Sequence, residues 1–307
     1  MTDRLATLAM CAILSGSMLA VTGPVPADAA AQRAPLKVEV FTAGDSGYSV
    51  TSSIIYGPKE AVLVDAQFTH EDANRLADRI AALNRKLKAI FVTHPDADHF
   101  VGLAPLHARF PNARIYMTSE GIAGYRQDIE RIRADFARSK TRAKETPPAE
   151  PIAQPLAGNL LRVDGQRVEI IPDLQGDIMY RRSNSVVWVP SARTLIAGDM
   201  AFDKVHLWLE KSTREIRRRW SEGLARLQAL KPRVLVAGHR GSPNSPLDPA
   251  ILQADRDYLA KFDAAVARTQ TADALEKEVT AAYPDWTHTL FLKLAARSIY
   301  PPPKSPS

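Results

Sequence analysis

Cysteine is almost absent from this chain, and its scarcity narrows the available chemistry. The 307 residues contain one cysteine, Cys11, which lies in an N-terminal segment that we expect to be removed. The mature protein therefore has neither an internal disulfide nor a thiolate metal ligand. Any metal ion would have to be held by imidazole nitrogen and carboxylate oxygen.

Long apolar runs are equally scarce, and the one present lies at the N-terminus. Residues 5–21 form an apolar run, and Ala27-Asp28-Ala29 supplies the small-x-small pattern that a signal peptidase cleaves. We therefore predict that residues 1–29 are a signal peptide and that the mature protein is periplasmic or secreted. The rest of the sequence contains no stretch long and apolar enough for a transmembrane segment.

The remaining sequence predicts one folded domain followed by a short tail. Residues 30–300 have the composition of an ordinary globular protein, whereas the tail, residues 301–307, begins with three prolines. We expect this tail to be disordered. The sequence does not determine the oligomeric state.

A modest excess of positive charge raises the question of a nucleic-acid partner. The chain has 40 Lys+Arg against 34 Asp+Glu, a net charge of +6. The basic residues cluster in the helical stretches 126–144 and 214–219, where Phe136 is the only aromatic between them. This pattern favours solvated helix faces over a nucleic-acid site. We expect a small-molecule substrate and no nucleic-acid partner.

Apolar runs and amphipathic stretches alternate along the chain, which is typical of an α/β protein. The predicted strands are residues 37–41, 49–56, 61–65, 88–93, 114–117, 159–163, 167–172, 185–190, 194–197 and 233–237. The predicted helices are residues 70–83, a helix from 103, then 119–145, 215–230 and most of 249–300. The proline-rich residues 146–155 are predicted to be a linker, or a flap over the functional site.

Four polar side chains follow the predicted strand 88–93 within six residues: His94, Asp96, Asp98 and His99. Ligands in α/β proteins commonly bind beyond the carboxyl ends of strands. Several carboxylates packed together repel one another unless a cation is present. The pattern indicates a metal site; the alternative is a solvated acidic turn that caps the following helix.

Two further polar residues stand at strand ends, each directly after a glycine. Asp199 follows Gly198, and His239 follows Gly238. Glycine permits a tight backbone path that brings the next side chain close to a ligand. Neither pair is specific alone, but together with the His94 turn they predict a single metal centre.

These motifs resemble the metallo-β-lactamase superfamily. The similarity rests on Thr93 to His99, on Gly198-Asp199, on Gly238-His239, and on Asp65 at the end of an early hairpin. The resemblance implies an α/β protein with a four-layer αβ/βα sandwich and a dinuclear metal site between its sheets. The imidazole and carboxylate ligand types suit zinc, with manganese or iron as alternatives, and the resemblance implies two ions per chain.

The resemblance further implies a role for each matched residue. His94 and Asp96 would hold the first metal, Asp98, His99 and His239 the second, and Asp199 would bridge the two. Asp98 would also act in catalysis, by orienting the nucleophile and carrying a proton to the leaving group.

Two departures from the family pattern leave part of the ligand set open. Asp96 stands where most members have a second histidine, and the expected Gly-His-Thr motif before residue 185 is absent. We choose Asp177 as the replacement ligand, with Asp173 as its competitor. His206 is a candidate catalytic hydrogen-bond donor or replacement ligand, and a structural role for it is equally open.

The function predicted from these motifs is metal-dependent hydrolysis. A metal-bound hydroxide would attack a small ester, lactone or β-lactam-like carbonyl. The loops around Phe68, Tyr125, Tyr180 and Trp208 would set specificity. The alternatives are a phosphodiesterase or nuclease-type hydrolase, and a metal-binding protein without catalysis.

Overall fold

The computed structural model describes residues 34–176 and 184–301. The described residues from Pro35 onward belong to one compact unit. The predicted signal peptide, Asp177 and nearly all of the predicted tail lie outside the described residues, so those three remain predictions.

The chain alternates strands and helices in its first half and ends in three helices. The strands are β1 (Lys37–Thr42), β2 (Thr51–Tyr56), β3 (Glu60–Val64), β4 (Lys86–Phe91), β5 (Arg114–Met117), β6 (Gln154–Pro155), β7 (Leu160–Val163), β8 (Gln166–Leu174), β9 (Asn184–Val189), β10 (Thr194–Ile196), β11 (Phe202–Asp203), β12 (Val234–Val236) and β13 (His239–Arg240). The helices are α1 (His70–Ala82), α2 (Ala97–Phe100), α3 (Leu103–Arg109), α4 (Ser119–Arg138), α5 (Arg214–Gln228), α6 (Ile251–Arg268), α7 (Ala272–Ala282) and α8 (Thr289–Ile299).

The strands form two large sheets and one short pair. The first sheet has the order β1-β2-β3-β4-β5-β6, antiparallel across β1 to β3 and parallel from β3 onward. The second has the order β12-β10-β9-β8-β7, in which only β10 and β12 are parallel. Strands β11 and β13 pair separately. The predicted antiparallel hairpin that ends at Asp65 is therefore confirmed.

Three apolar clusters show how the layers stack. Between the sheets, Val64 and Phe91 of the first pack with Val187 and Ile196 of the second. Another cluster joins the first sheet to α1, α3 and α4, and a third joins the second sheet to α5 through α8. The predicted four-layer αβ/βα sandwich is confirmed. Among the described residues, no helix has the length and apolar character needed to span a membrane.

Threonine residues define where several of these helices begin. Thr69 accepts a hydrogen bond from the backbone N–H of Asp72 at the start of α1, and Thr118 does the same for Gly121 in α4. A threonine side chain at this position satisfies a backbone donor that the helix leaves unpaired. These caps explain why the observed starts of both helices agree with the predicted ones.

The predicted long helix at residues 119–145 is shorter in the structure. It ends at Arg138, and a 3-10 turn at Ala143–Glu145 follows. The proline-rich segment then offers carbonyls to α4: Tyr125 donates to Pro148 O at 2.6 Å, and residues 154–155 add β6 to the sheet edge. These contacts fasten the segment to the first helical layer, so it forms a linker rather than a flap.

A close crossing of backbones positions the His-rich turn against the end of β3. The N–H of Ala66 donates to His99 O at 2.8 Å, and the N–H of Gly102 donates to Gln67 O at 2.9 Å. A Cβ on Gly102 would lie 1.9 Å from the backbone oxygen of Ala66. Only glycine fits at this crossing.

We expect Gly102→Ala to destabilise the fold because backbone, which cannot rotate away, occupies the space of the new methyl. Overpacking of this kind costs about 1–3 kcal/mol or more in the free energy of unfolding, measurable by urea denaturation. Gly44→Ala is the matched control, since no atom lies within 4 Å of a Cβ there. Equal unfolding midpoints for the two variants would contradict this account.

Candidate metal centre

The His-rich turn is fixed between the two sheets. Thr93 O accepts a hydrogen bond from the N–H of Ser185 at 3.1 Å, which joins the end of β4 to β9. Asp96 then begins α2, and its carboxylate accepts from the N–H of Ala97 at 2.8 Å. This short helix carries Asp98 and His99 into the interior, where both are buried.

Imidazole nitrogens and carboxylate oxygens from three separate segments converge here. Nε2 of His99 lies 3.1 Å from Oδ1 of Asp199. Nε2 of His239 lies 3.3 Å from Oδ2 of Asp98 and 3.4 Å from Oδ2 of Asp199. The ligand atoms form two overlapping clusters, one of His94, His99 and Asp199 and one of Asp98, His99 and His239.

Asp65 orients two residues of the turn. Its Oδ2 lies 2.9 Å from Nδ1 of His99, and its Oδ1 accepts from the N–H of Thr93 at 2.8 Å. The Thr93 hydroxyl also donates to Asp65, which leaves its oxygen to accept from Nδ1 of His94 at 3.0 Å. With Nδ1 acting as the donor, Nε2 of each ring presents a lone pair toward the cluster.

His239 is oriented in the same way, by backbone. Its Nδ1 lies 2.7 Å from Tyr48 O, so the ring donates to that carbonyl and directs Nε2 toward Asp98 and Asp199. Val50 also forms an isolated antiparallel β-bridge with His239. The segment before β2 therefore supports a ligand supplied by the far end of the chain.

The electrostatics of the cluster are those of a site that needs positive charge. Burial lowers the pKa of His99, but the carboxylates of Asp199, Asp65 and Asp98 outweigh it and raise the pKa well above its usual value. Burial also lowers the pKa of His239, and Asp199 and Asp98 raise it overall to about 9. Burial raises the pKa of Asp199, yet the neighbouring imidazoles hold it well below its ordinary range. Protons here neutralise charge that a metal ion would otherwise balance.

The donor set fits a metal ion. Within the described part of the chain, Nε2 of His99 and Oδ1 of Asp199 are fully buried and make no hydrogen bond of acceptable geometry. Buried polar atoms without partners are costly, and a coordinated cation satisfies them. Imidazole nitrogen combined with carboxylate oxygen suits zinc, and also manganese or iron.

The two glycines singled out from the sequence are required by close packing. A Cβ on Gly238 would lie 2.3 Å from Oδ1 of Asp199 and 2.5 Å from the backbone of Gly198. Gly198 itself has a φ of +47°, in the left-handed region. The tight backbone path predicted for both strand ends is confirmed.

The structure brings together five of the predicted ligands: His94, Asp98, His99, Asp199 and His239. Asp96 belongs to neither cluster of described residues, although it lines the adjoining cavity. Asp173 is exposed on β8 and is likewise outside both clusters. A ligand role for Asp173 therefore has no geometric support.

His206 lies apart from the clusters. Its Nδ1 is 2.9 Å from the hydroxyl of Tyr258, its ring packs near Trp286, and it is fully buried. Burial lowers its pKa to about 4, which keeps the ring neutral. It is absent from the residues that line the cavity. These contacts correspond to the structural role left open for His206 rather than to the catalytic one.

A cavity of about 310 Å³ adjoins the clusters. Phe68 and Trp208 line it, as expected from the sequence, whereas Tyr125 packs on Phe100 instead. Tyr180 lies outside the described residues.

Sequence reasoning missed several residues around the centre. Phe202 stacks on the ring of His239, with centroids 5.1 Å apart, and Phe291 of α8 meets the same ring edge-on at 5.9 Å. Tyr48 supplies the carbonyl described above. None belongs to a recognisable motif, because each reaches the centre only through the tertiary fold.

We expect the pH dependence of stability to invert when metal is bound. In metal-free protein the raised pKa of His239 stabilises the fold fully below about pH 6.5, and this contribution is lost as pH rises through about 9. Metal requires a neutral imidazole, so its binding strengthens over the same range. Urea unfolding with chelator and with zinc measures both trends. A metal-free protein equally stable at pH 6.5 and 9 would contradict the assignment.

We expect Asp65→Asn to weaken zinc binding about 10- to 100-fold, because the orienting acceptor of His99 becomes an amide. Asparagine is isosteric and tolerates the φ of 62° found there. Asp72→Asn is the control, as a similarly buried carboxylate in the first turn of α1 that accepts a hydrogen bond from the Thr69 hydroxyl. Zinc affinity is measured by competition with a chelating dye; wild-type affinity in Asp65→Asn would refute the orienting role.

Comparisons with known proteins agree with this geometry. A model of the metallo-β-lactamase superfamily matches residues 45–239. Hydroxyacylglutathione hydrolase from Aeromonas salmonicida (strain A449) is 47% identical over 45 residues, which are 15% of this chain and 18% of that protein. The match thus spans about a fifth of that relative.

Two solved structures share the fold. A metallo-β-lactamase family protein from Thermus thermophilus superposes with a TM-score of 0.61 at 20% identity, over 85% of this chain and 91% of that one. The DIM-1 metallo-β-lactamase exposed to ceftazidime gives a TM-score of 0.52 at 18% identity, over 75% and 99%. The family match covers more than half of the chain and contains both ligand clusters. The chain therefore belongs to the metallo-β-lactamase superfamily, and its predicted classification among the metallo-hydrolases of that superfamily is confirmed.

Proposed function

We propose that this protein is a metal-dependent hydrolase of a small ester, lactone or β-lactam-like carbonyl compound. The observation that carries the proposal is the convergence of buried Nε2 and carboxylate atoms at one end of an open cavity. We propose zinc as the metal, held by His94, Asp98, His99, Asp199 and His239.

The chain's own residues divide the work of the reaction. A metal bound here would supply a Lewis acid for the carbonyl oxygen and lower the pKa of water. Asp98 faces the cavity beside His239 and can accept the proton of the attacking water and pass it to the leaving group. Asp65 and the Tyr48 carbonyl hold the imidazole rings in place, so no ring reorients during the reaction.

The size and lining of the cavity support a small substrate. Its volume of about 310 Å³ is at the lower end of ligand pockets. A signal peptide and export, as proposed from the sequence, would give the mature enzyme access to small diffusible compounds. The relative named as a hydrolase of hydroxyacylglutathione supports acyl chemistry, although over a short match.

The surroundings of the centre do not favour the phosphodiesterase alternative. Among the described lining residues Arg131 is the one arginine or lysine, and it lies 3.9 Å from Asp128 and 3.6 Å from Asp135. A polyanion would need several unpaired cations near the metal. The mostly apolar cavity instead gives an apolar compound access to the candidate metal ligands. This access favours a catalytic role over metal storage.

We expect zinc-loaded protein to hydrolyse at least one class among aryl esters, lactones and cephalosporins. Asp199→Ala should lower kcat/KM more than about a hundredfold, beyond what loss of an orienting contact costs. Asp285→Ala, which removes an exposed carboxylate, is the control. Zinc content is measured beside the rates, and full activity in Asp199→Ala would remove this residue from the mechanism.

A further inference from the structure

We propose that the substrate carries an uncharged hydrocarbon chain, and that the cavity beside the metal centre is the subsite that binds it. This inference rests on the proposed hydrolase function and specifies its substrate class. It concerns the part of the substrate that does not react, whereas the ligand clusters concern the part that does.

The cavity wall is mostly apolar, and aromatic rings form a large part of it. Its aromatic side chains are Tyr48, Phe68, Phe136, Trp208 and Phe291. The same cavity is also lined by Asp98, Asp199 and His239. A carbonyl at the ligands therefore lies in the same cavity as the rings, so its attached chain can contact them. Burial of that chain stabilises the complex in proportion to the apolar area removed from water.

Helices α4 and α8 complete the wall with aliphatic side chains. Ile132 comes from α4, and Leu290 and Leu294 come from α8. Leu290 is 49% exposed, one of two large hydrophobic side chains in the described residues that remain so accessible. The other, Ile152, lies away from this cavity. Leu290 thus marks the point where a bound chain would cover apolar surface that is otherwise in contact with water.

The charge around the cavity favours a neutral chain. Arg131 is the one arginine or lysine among the described lining residues, and the carboxylates of Asp128 and Asp135 already face it. Asp135 itself lines the cavity. A substrate carboxylate beside Arg131 would meet the repulsion of both aspartates and would compete with them for the guanidinium. An uncharged chain avoids both costs.

Arg142 holds two of the rings in place before any substrate binds. Its guanidinium lies 3.4 Å from the centroid of the Phe68 ring and 4.6 Å from that of Phe136. It also donates to Phe68 O at 2.7 Å and to Glu145 at 3.2 Å. These contacts hold the two rings in position without involving the candidate metal ligands. A preformed apolar surface binds a chain with a smaller entropic cost.

The first experiment is a chain-length series. Zinc-loaded protein is given straight-chain acyl esters of one aryl alcohol, from acetyl upward. We expect kcat/KM to rise about fourfold per added methylene, the increment for burying one methylene group, and to level off when the cavity is full. An ester of the same length that ends in a carboxylate should be at least about tenfold poorer than its neutral counterpart, as for one uncompensated polar contact.

Two variants locate the subsite. Leu290→Ser should lower kcat/KM for the longest ester about tenfold, as for loss of one leucine contact, and should lower kcat/KM for the acetyl ester by a smaller factor. Ile152→Ser is the matched control, since it removes another exposed large apolar side chain, 36% accessible, away from the cavity. Because Leu290 is half exposed, its replacement should not unfold the protein, and urea denaturation checks this.

Binding is measured separately from turnover, in metal-free protein with unreactive straight-chain alkyl ketones. We expect the midpoint of thermal unfolding to rise with ketone chain length in the wild type and less in Leu290→Ser.

A midpoint independent of chain length, or ester rates independent of chain length, would overturn the hydrocarbon subsite while leaving the hydrolase function intact. Faster hydrolysis of the carboxylated ester would overturn it as well. Failure to hydrolyse any ester, lactone or cephalosporin would instead remove the hydrolase function, and the ketone measurement would still decide the subsite.

Discussion

The structure depends on one electrostatic constraint: carboxylates and imidazoles share a buried volume too small for their charges to be screened by water. Asp199 lies within 3.4 Å of the imidazoles of both His99 and His239. Burial alone would favour neutral forms, yet the mutual interactions keep Asp199 ionised and raise the pKa of both histidines. Such a cluster is stable only with added positive charge, which protons supply and which a metal ion, if bound, would supply in their place.

The fold accommodates these charges because further contacts hold the ligand side chains in position. Asp65 follows β3 and fixes His99, and the backbone before β2 fixes His239. Asp199 is held by close packing against Gly238, where no side chain fits. Each contact joins segments far apart in sequence, so the centre and the sandwich form together. Loss of an orienting contact is therefore expected to displace a ligand side chain, even though the orienting residue does not itself bind the metal.

The sequence predicted the elements whose signal is local. Apolar runs precede His94, Asp199 and His239 in the sequence. The glycines directly before Asp199 and His239 indicate the close packing found at these two positions. The end of α4 was predicted too late, because the charged stretch after Arg138 has helical composition but turns in response to tertiary contacts of Arg142 with Phe68. The tyrosine carbonyl and stacked rings around His239 left no local signal, since backbone acceptors and ring faces are recognisable only after folding.

The same distinction separates the chemistry from the specificity. Metal ligands need particular residue types at fixed spacing, and they therefore leave a pattern in the sequence. A hydrocarbon wall needs only apolar side chains of suitable volume, which α4 and α8 supply from positions that equally suit an ordinary helix core. What identifies the wall is its position: Ile132 and Leu290 line a space that opens onto Asp98 and His239. In the proposed subsite, substrate specificity would thus depend on which helices the fold places beside the candidate metal ligands.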